Sequence, residues 1–308
     1  MDNKSLVFGH KKPDTDSIAS AISMANLQTN IGSYSESFRL GNINRETEFA
    51  LKTFGVKEPE YLEKVNENDN IIMVDSNEFD QSAEGIENAN IKMIVDHHRL
   101  NLQTTNPVFC MVEPVGCTST ILYKLYKQNE VNIAPEMAGL MLSAIVSDTL
   151  LFKSPTCTPV DTKIAKKLAE IAGVDIQEFA MEMFKAGTSL VGKTVDEIFN
   201  QDFKKFSFDN LQVGVAQVNS MDIEGFLPYK KDMLDYMNKF AEDNNLEFTL
   251  LLLTDIINAN SEIFVGGPRP ELVEKAFNVQ LTECQGTLAG VISRKKQVVP
   301  AITAVMSE

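Results

Sequence analysis

The chain has 308 residues, with 43 Asp plus Glu against 28 Lys plus Arg, a formal net charge of −15, three histidines and no tryptophan. This length predicts two domains, and 44% apolar with 23% charged residues suffices for packed cores, which excludes disordered and low-complexity classes. The negative balance argues against a nucleic-acid duplex or an anionic membrane as main partner, because both demand a broad basic surface. A small anion remains compatible if positive charge is concentrated locally.

The densest apolar stretch, residues 248–253, is far short of the roughly 18 residues a spanning helix needs. Met1-Asp2-Asn3-Lys4 leads into a short apolar run ending at Gly9-His10, without the pattern of a secretory signal, so the expected location is cytoplasmic. Cys110, Cys117, Cys157 and Cys284 lack CxxC spacing and read as buried, reduced thiols rather than disulfides or zinc ligands.

In chain order, Leu6-Val7-Phe8 reads as a buried strand. A helix follows over 16–27, with Ile18, Ile22 and Ala25 on one face and Asp14 or Asp16 as its cap. Residues 71–74 and 91–95 are strands of the buried, parallel kind. Helices are predicted over 119–128, 134–146 and 160–172, the last closed by Gly173. Strands alternating with helices imply an α/β fold with a parallel sheet. Small and breaker residues at 186–194 mark a boundary. Beyond it come strands at 206–208, 213–218, 248–253 and 263–265, with helices over 229–242 and 271–278. The predicted plan is an N-terminal, mostly parallel-sheet domain over 1–187, a hinge over 188–194, and a smaller C-terminal α/β domain over 195–308.

Four segments carry chemistry. They are Phe8-Gly9-His10-Lys11-Lys12-Pro13-Asp14-Thr15-Asp16, Met73-Val74-Asp75-Ser76, Ile94-Val95-Asp96-His97-His98, and Ile145-Val146-Ser147-Asp148-Thr149. The first three end apolar strands; the fourth follows a helical pattern. Residues just beyond the strand C-termini of an open α/β sheet gather in one crevice. All three histidines fall in two of these segments. The bland alternative is a turn role for His10 and satisfied core polar groups for His97 and His98, but a surface use of histidine would scatter them. Imidazole with carboxylate suits a divalent first-row metal. His10, Asp14, Asp16, Asp75, His97 and Asp148 suffice for two ions if some aspartates bridge, as two-metal hydrolases require. Packed without cations, these aspartates would repel and desolvate at high cost.

Ser293-Arg294-Lys295-Lys296-Gln297 is a compact basic run in an acidic chain. Alone it reads as a solvated turn; beside a two-metal site it reads as a clamp for phosphate oxygens. Asp202-Phe203-Lys204-Lys205-Phe206 is a second basic element, and in an extended segment its lysines point to opposite sides. Gly266-Gly267-Pro268-Arg269 and Asp255 read as plain turn residues. Neither a Walker A loop nor GxGxxG is present, which leaves ATP- and NAD-type readings unsupported.

Taken together, Gly9-His10-x-x-x-Asp14-x-Asp16, Val74-Asp75, Asp96-His97-His98 and Ser147-Asp148 resemble the DHH phosphoesterase superfamily. The Ser-Arg-Lys-Lys-Gln run narrows the resemblance to family II, manganese-dependent inorganic pyrophosphatases, over essentially the whole chain. There is no room for the nucleotide-binding repeats of that family's regulatory form. The resemblance implies that His10 and Asp14 bind one metal, that Asp16 and His97 bind the other, and that Asp75 and Asp148 bridge. It implies that His98 faces the substrate, protonating or orienting the leaving phosphate, and that Asp96 stands behind the ligand His97, holding its tautomer. It also implies that Lys204, Arg294 and Lys295 grip pyrophosphate, Lys204 being chosen over Lys205 by the family's Asp-x-Lys-x-Phe pattern. The expected reaction is hydrolysis of pyrophosphate to two phosphates by a hydroxide bridging two Mn2+ ions, in a cleft between the domains. Co2+ or Mg2+ are alternative metals, and further Mg2+ arrives with the substrate. A cytoplasmic homodimer paired through the N-terminal domain is expected.

Two rivals stand beside this reading. A DHH-type phosphodiesterase on short oligonucleotides or cyclic dinucleotides would typically carry a glycine-rich motif with histidine in its second domain, and this chain has no histidine after His98. A metal or phosphate sensor without turnover would be expected to lack ligands, yet the full set is present.

Overall fold

A computed structural model describes residues 4–102, 104, 106–208, 211–220, 223–255, 258 and 260–306, with the backbone alone at Lys296. They form two compact units that divide between Gly187 and Thr188.

The first unit runs β1 (Ser5–Phe8), α1 (Thr15–Asn30), β2 (Ser35–Arg39), α2 (Arg45–Thr53), β3 (Glu60–Tyr61), β4 (Asn70–Val74), β5 (Asn90–Asp96) and β6 (Phe109–Val112). It closes with α3 (Thr118–Gln128), α4 (Pro135–Asp148), α5 (Pro159–Ala172) and α6 (Ile176–Gly187). The strands form one all-parallel sheet in the order β3-β2-β1-β4-β5-β6.

Side chains alternate across this sheet with the period of two that a strand imposes. Leu6, Phe8, Ile71, Met73, Ile91 and Ile94 fill one face, under loops and two short 3-10 turns at Phe79–Gln81 and Ile86–Asn88. Val7, Ile72, Val74 and Val95 fill the other, under the helices. Ile91 and Ile94 share a face although three apart, because a bulge shifts the β4–β5 register. Helix α1 is buried along nearly its whole length and packs on α4, its Ala19, Ser20, Ala21, Ser23 and Ala25 presenting little bulk.

Because every strand is parallel, the C-terminal ends of neighbouring β1, β4 and β5 open at one edge. Between β1 and β4 the strand order reverses direction, which is where an open α/β sheet forms a crevice. Asp14, not Asp16, caps α1, accepting the Ser17 amide at 2.9 Å. Helix α5 opens on a capping box between Thr158 and Asp161 and ends at Gly173, whose φ of 71° suits glycine.

The second unit contains α7 (Val195–Asn200), β7 (Phe203–Phe208), β8 (Leu211–Ser220), α8 (Lys230–Asp243), β9 (Phe248–Asp255), β10 (Asn260–Gly266), α9 (Glu271–Phe277), β11 (Gln285–Ala289) and α10 (Val299–Met306). Its sheet is ordered β11-β10-β9-β8-β7, with β8 and β9 parallel and the other pairs antiparallel. Val213, Val215, Leu250 and Leu252 pack towards α9 and α10; Ala216, Val218, Leu251 and Leu253 pack towards α7 and α8. Leu190, inside the stretch read as a hinge, is buried in this second core.

No helix among the described residues is long and apolar enough to cross a membrane. None of the four cysteines forms a disulfide, but the expectation of burial holds only for Cys117 and, in part, Cys157. Cys110 is exposed on the edge strand β6 and Cys284 in the turn before β11, where few neighbours cover a side chain.

Candidate metal centre

The crevice of the first unit collects the residues that the sequence had spread over nearly its whole first half. Gly9 ends β1 and lets the chain pass close to α1: a Cβ there would meet Ser17 Oγ at 2.0 Å. The same hydroxyl accepts the His10 amide at 3.1 Å. The His10 ring follows, its Nε2 3.7 Å from Asp14 Oδ2 and 3.5 Å from Asp75 Oδ2. Asp75, one residue past β4, has a left-handed φ of 55°, a strained placement that aims its carboxylate into the crevice.

Asp16 is fully buried in the first turn of α1. It accepts hydrogen bonds from Ser20 Oγ (2.7 Å), Ser119 Oγ (3.0 Å) and the backbone amides of Thr118 (2.6 Å) and Ser119 (3.2 Å). Those amides open α3, so the helix N-terminus faces a carboxylate. Thr118 Oγ1 donates to Asp75 at 3.1 Å. Asp148 comes from the C-terminal end of α4, where the helix dipole disfavours negative charge. Three left-handed residues follow it, Leu150, Leu151 and Phe152.

The two adjacent histidines meet edge to face, their ring centroids 4.2 Å apart, but they use different partners. His97 Nδ1 lies 3.1 Å from the carbonyl of Val115, which leaves Nε2 facing Asp75 Oδ1 (3.3 Å) and Asp148 Oδ2 (3.8 Å). Asp96 Oδ1 bonds the amide (3.0 Å) and Nδ1 (2.9 Å) of His98, not His97. The expectation that Asp96 holds the His97 tautomer is thus corrected. β5 ends at Asp96 and the chain bends there: the Asp96 carboxylate closes a turn on the amide two residues on, which brings the His98 ring to it and leaves His97 to the Val115 carbonyl. Asn77 Nδ2 donates to the other Asp96 oxygen at 2.6 Å, completing a chain from Asn77 through Asp96 to His98.

Ligand atoms cluster in two main groups: His10, Asp14 and Asp75, and Asp16, Asp75, His97 and Asp148. Asp75 belongs to both, whereas Asp148 belongs to the second alone; a third group joins Asp75, His97 and His98. A cavity of about 310 Å3 adjoins them, lined by His10, Asp14, Asp75, Asn77, His98 and Arg99 among others.

The electrostatics call for added cations. Burial, reinforced by the charge of Asp75, pushes Asp16 up to about 6. Burial and the charges of Asp16, Asp75 and Asp14 push Asp148 well above the carboxylate range. Burial works against the imidazolium of His10, but Asp14 and Asp75 outweigh it and raise the ring to about 10; Asp75 and Asp16 do the same for His97, to about 9. Burial also opposes the Asp75 anion, and His10 and His97 outweigh it to hold that carboxyl low. Asp16, Asp148, His10 and His97 all favour added positive charge, and the imidazole-plus-carboxylate donors fit divalent manganese, cobalt or magnesium.

The second unit brings the basic residues together on its own. Lys204, Arg294 and Lys295 line a cavity of about 560 Å3 with Asp202, Gln217, Asn219 and Ser293 among others, and Lys205 does not. Arg294 opens a single π-helical turn, Arg294–Val298, and is only 7% exposed. Its guanidinium is bonded to Asp202 Oδ1 (2.7 Å), the Asp202 carbonyl and the Val215 carbonyl (3.3 Å). Lys204 and Lys295 are thus the exposed cations of this cavity, and Arg294 forms its buried wall. Gln297 folds its side chain back, accepting the amides of Ile292 (2.9 Å) and Ser293 (3.0 Å). Arg269 pairs locally with Glu271 and Glu247, and Asp255 accepts the amide of Asn258, as turn residues do.

Sequence reasoning missed the supports: Ser17, Ser20, Asn77, the Val115 carbonyl, Thr118 and Ser119. The run Thr118-Ser119-Thr120 at a helix start was the available signal, since hydroxyls and free amides there suit an anion.

Residues 4–145 match the model for the DHH family, N-terminal domain, and residues 181–305 match the DHHA2 domain. Fold and site therefore define a DHH-type two-unit protein. A relative from Clostridium acetobutylicum, named a probable manganese-dependent inorganic pyrophosphatase, is 51% identical over 305 residues, 99% of this chain and 98% of its own. One from Exiguobacterium of the same name is 50% identical over 97% of both chains. A crystal structure described as a putative family II inorganic pyrophosphatase of Methanococcus jannaschii is 43% identical, with a TM-score of 0.60, and covers 99% of this chain and 100% of that one. An exopolyphosphatase-related protein from Bacteroides fragilis, 15% identical with a TM-score of 0.51 over 99% of this chain and 94% of its own, shows the fold alone. The chain belongs to the family of manganese-dependent inorganic pyrophosphatases.

Proposed function

We propose that this protein hydrolyses inorganic pyrophosphate to two phosphates, using two divalent ions, manganese in the first place. The observation that carries the reading is Asp75, common to two ligand groups at a crevice that adjoins an exposed imidazole. In this reading His10 and Asp14 hold one ion, Asp16 and His97 the other, and Asp75 and Asp148 bridge; membership of both groups supports a bridge for Asp75 more directly than for Asp148. Bound there, divalent ions supply charge for the phosphoryl oxygens and make water acidic enough to serve as nucleophile at neutral pH.

The protein's own groups do the rest. Asp96 raises the His98 pKa through its hydrogen bond, favouring a ring that keeps its Nδ1 proton on Asp96 and presents Nε2–H to an anion. That proton can stabilise or be donated to a departing phosphate. Val115 holds His97 with Nε2 free for a metal. Lys204 and Lys295 are assigned to the phosphate oxygens, with Arg294 joining them if phosphate replaces Asp202 at its guanidinium. The first unit thereby prepares the nucleophile and the second holds the anion. Co2+ and Mg2+ are alternative occupants, and further Mg2+ is expected with the substrate.

A cytoplasmic homodimer is proposed from the family resemblance. The edge strand β6, with Phe109 52% exposed, supports pairing through the first unit, since an open edge invites another chain. The deciding experiment removes metal by chelation, reloads with Mn2+ or Mg2+, and compares pyrophosphate with a dinucleotide. Two ions per chain and preferential turnover of pyrophosphate are expected; preferential cleavage of the dinucleotide sinks the reading and favours the phosphodiesterase alternative.

A further inference from the structure

Glu46 lies in the first turn of α2, outside the residues assigned to metal or substrate. Its Oε1 accepts hydrogen bonds from two hydroxyls, Thr15 Oγ1 at 3.0 Å and Ser147 Oγ. Thr15 sits between Asp14 and Asp16 in sequence, and Ser147 immediately precedes Asp148. One oxygen therefore ties the start of α1 to the end of α4. Those two segments carry three of the six candidate ligands. The buried pair Thr15 Oγ1 and Thr47 Oγ1, 3.1 Å apart, also fastens the start of α1 to α2, the helix that carries Glu46.

The tether has something to resist. Asp148 is the last residue of α4, where a helix frays, and the left-handed run Leu150–Phe152 lies just beyond. Backbone relaxation there would widen the gap between Asp148 and α1 and spread the ligands.

We propose that Glu46 is a positioning residue that fixes the spacing between Asp14, Asp16 and Asp148, and through it the affinity of the centre for its ions. This rests on the two-ion reading above. It acts as a hydrogen-bond acceptor rather than as a charge or a ligand, so Gln, which keeps a carbonyl oxygen at the same place, replaces it.

The test is titration of chelated protein with Mn2+ alone, alongside melting of the metal-free form. Glu46→Ala is expected to weaken Mn2+ binding by about 10-fold or more, the scale of lost outer ligand support, while Glu46→Gln stays within about 3-fold. Glu48→Ala, on the exposed side of the same turn, leaves affinity unchanged and separates a helix effect from the tether. Should Glu46→Ala not fold, Thr15→Val with Ser147→Ala removes both donors and is expected to reproduce the loss. Wild-type affinity in Glu46→Ala or in the double variant overturns the inference, as does a Gln variant as weak as Ala. Wild-type protein that binds no Mn2+ overturns the two-ion reading instead.

Discussion

Asp161 is a fully buried carboxylate on α5, not itself among the residues assigned to metal or substrate, and the structure makes its removal costly. It accepts from the Gly116 amide at 2.9 Å, Thr120 Oγ1 at 2.6 Å, the Thr158 amide at 2.7 Å and Thr158 Oγ1 at 2.6 Å. In Asp161→Ala the two hydroxyls can turn to other acceptors, but the two amides cannot. Each stranded amide costs about 1–3 kcal/mol and each weakened hydroxyl bond about 0.5–1.5 kcal/mol. Relief of a buried charge offsets part of this, leaving about 4 kcal/mol, or roughly 10 °C in melting temperature for a unit of this size. The damage is not confined to stability. Gly116 lies between Val115, which orients His97, and the amides of Thr118 and Ser119, which hold Asp16. The assay is a thermal melt of the metal-free protein beside Asp175→Ala, which removes only an exposed cap of α6 and should cost about 1 kcal/mol. Melting of Asp161→Ala within a degree or two of Asp175→Ala would refute the reasoning.

Chelation of the loaded protein is expected to lower its melting point, because an ion held at 100 times its dissociation constant contributes about 2.7 kcal/mol; an unchanged melt after verified metal removal would contradict a native-state site. His98→Asn should retain its metal and lose about 100-fold or more in kcat, as removal of a general acid does, and metal loss would instead mark His98 as a ligand. Lys204→Ala should raise KM for pyrophosphate about 10-fold and Lys205→Ala hardly at all, since only Lys204 lines the second unit's cavity; the reverse order would overturn the assignment. Leu150→Asn should raise the melting point by the equivalent of about 0.5–1 kcal/mol, because Leu150 is 59% exposed with a φ of 46° that Asn adopts more readily; a lower melting point counts against strain there.

The long periodic elements were legible because their own apolar spacing encodes them: β1, β4 and β5, helices α1, α3, α4 and α5, and β8, β9 and α8. Elements whose pattern is polar or short were not. Strand β2 reads Ser-Glu-Ser-Phe-Arg, β3 has two residues and β6 four, and each becomes a strand only because a neighbour supplies its hydrogen bonds. α2, α6, α7, β11 and α10 likewise gained their identity from packing.

The donor set of the centre was legible for a different reason. With three histidines in 308 residues, all beside strand-terminal aspartates, the choice of ligand types is a property of composition and local spacing. The basic run at 293–297 was equally visible. What the sequence by itself could not determine is which hydrogen bond each group makes, because that depends on residues brought near by the fold. Asp96 turns to His98 because the turn beyond β5 and Asn77 place it there, and a carbonyl 18 residues onward holds His97 instead. The −15 balance fixed that any positive charge meeting a phosphate must be local. The tertiary structure alone decided where: Lys204 and Lys295 on one cavity of the second unit, and Asp75 shared by two ligand groups in the first. Spacing along a chain selects chemical types, whereas the direction of a side chain is set by neighbours that the chain reaches only by folding.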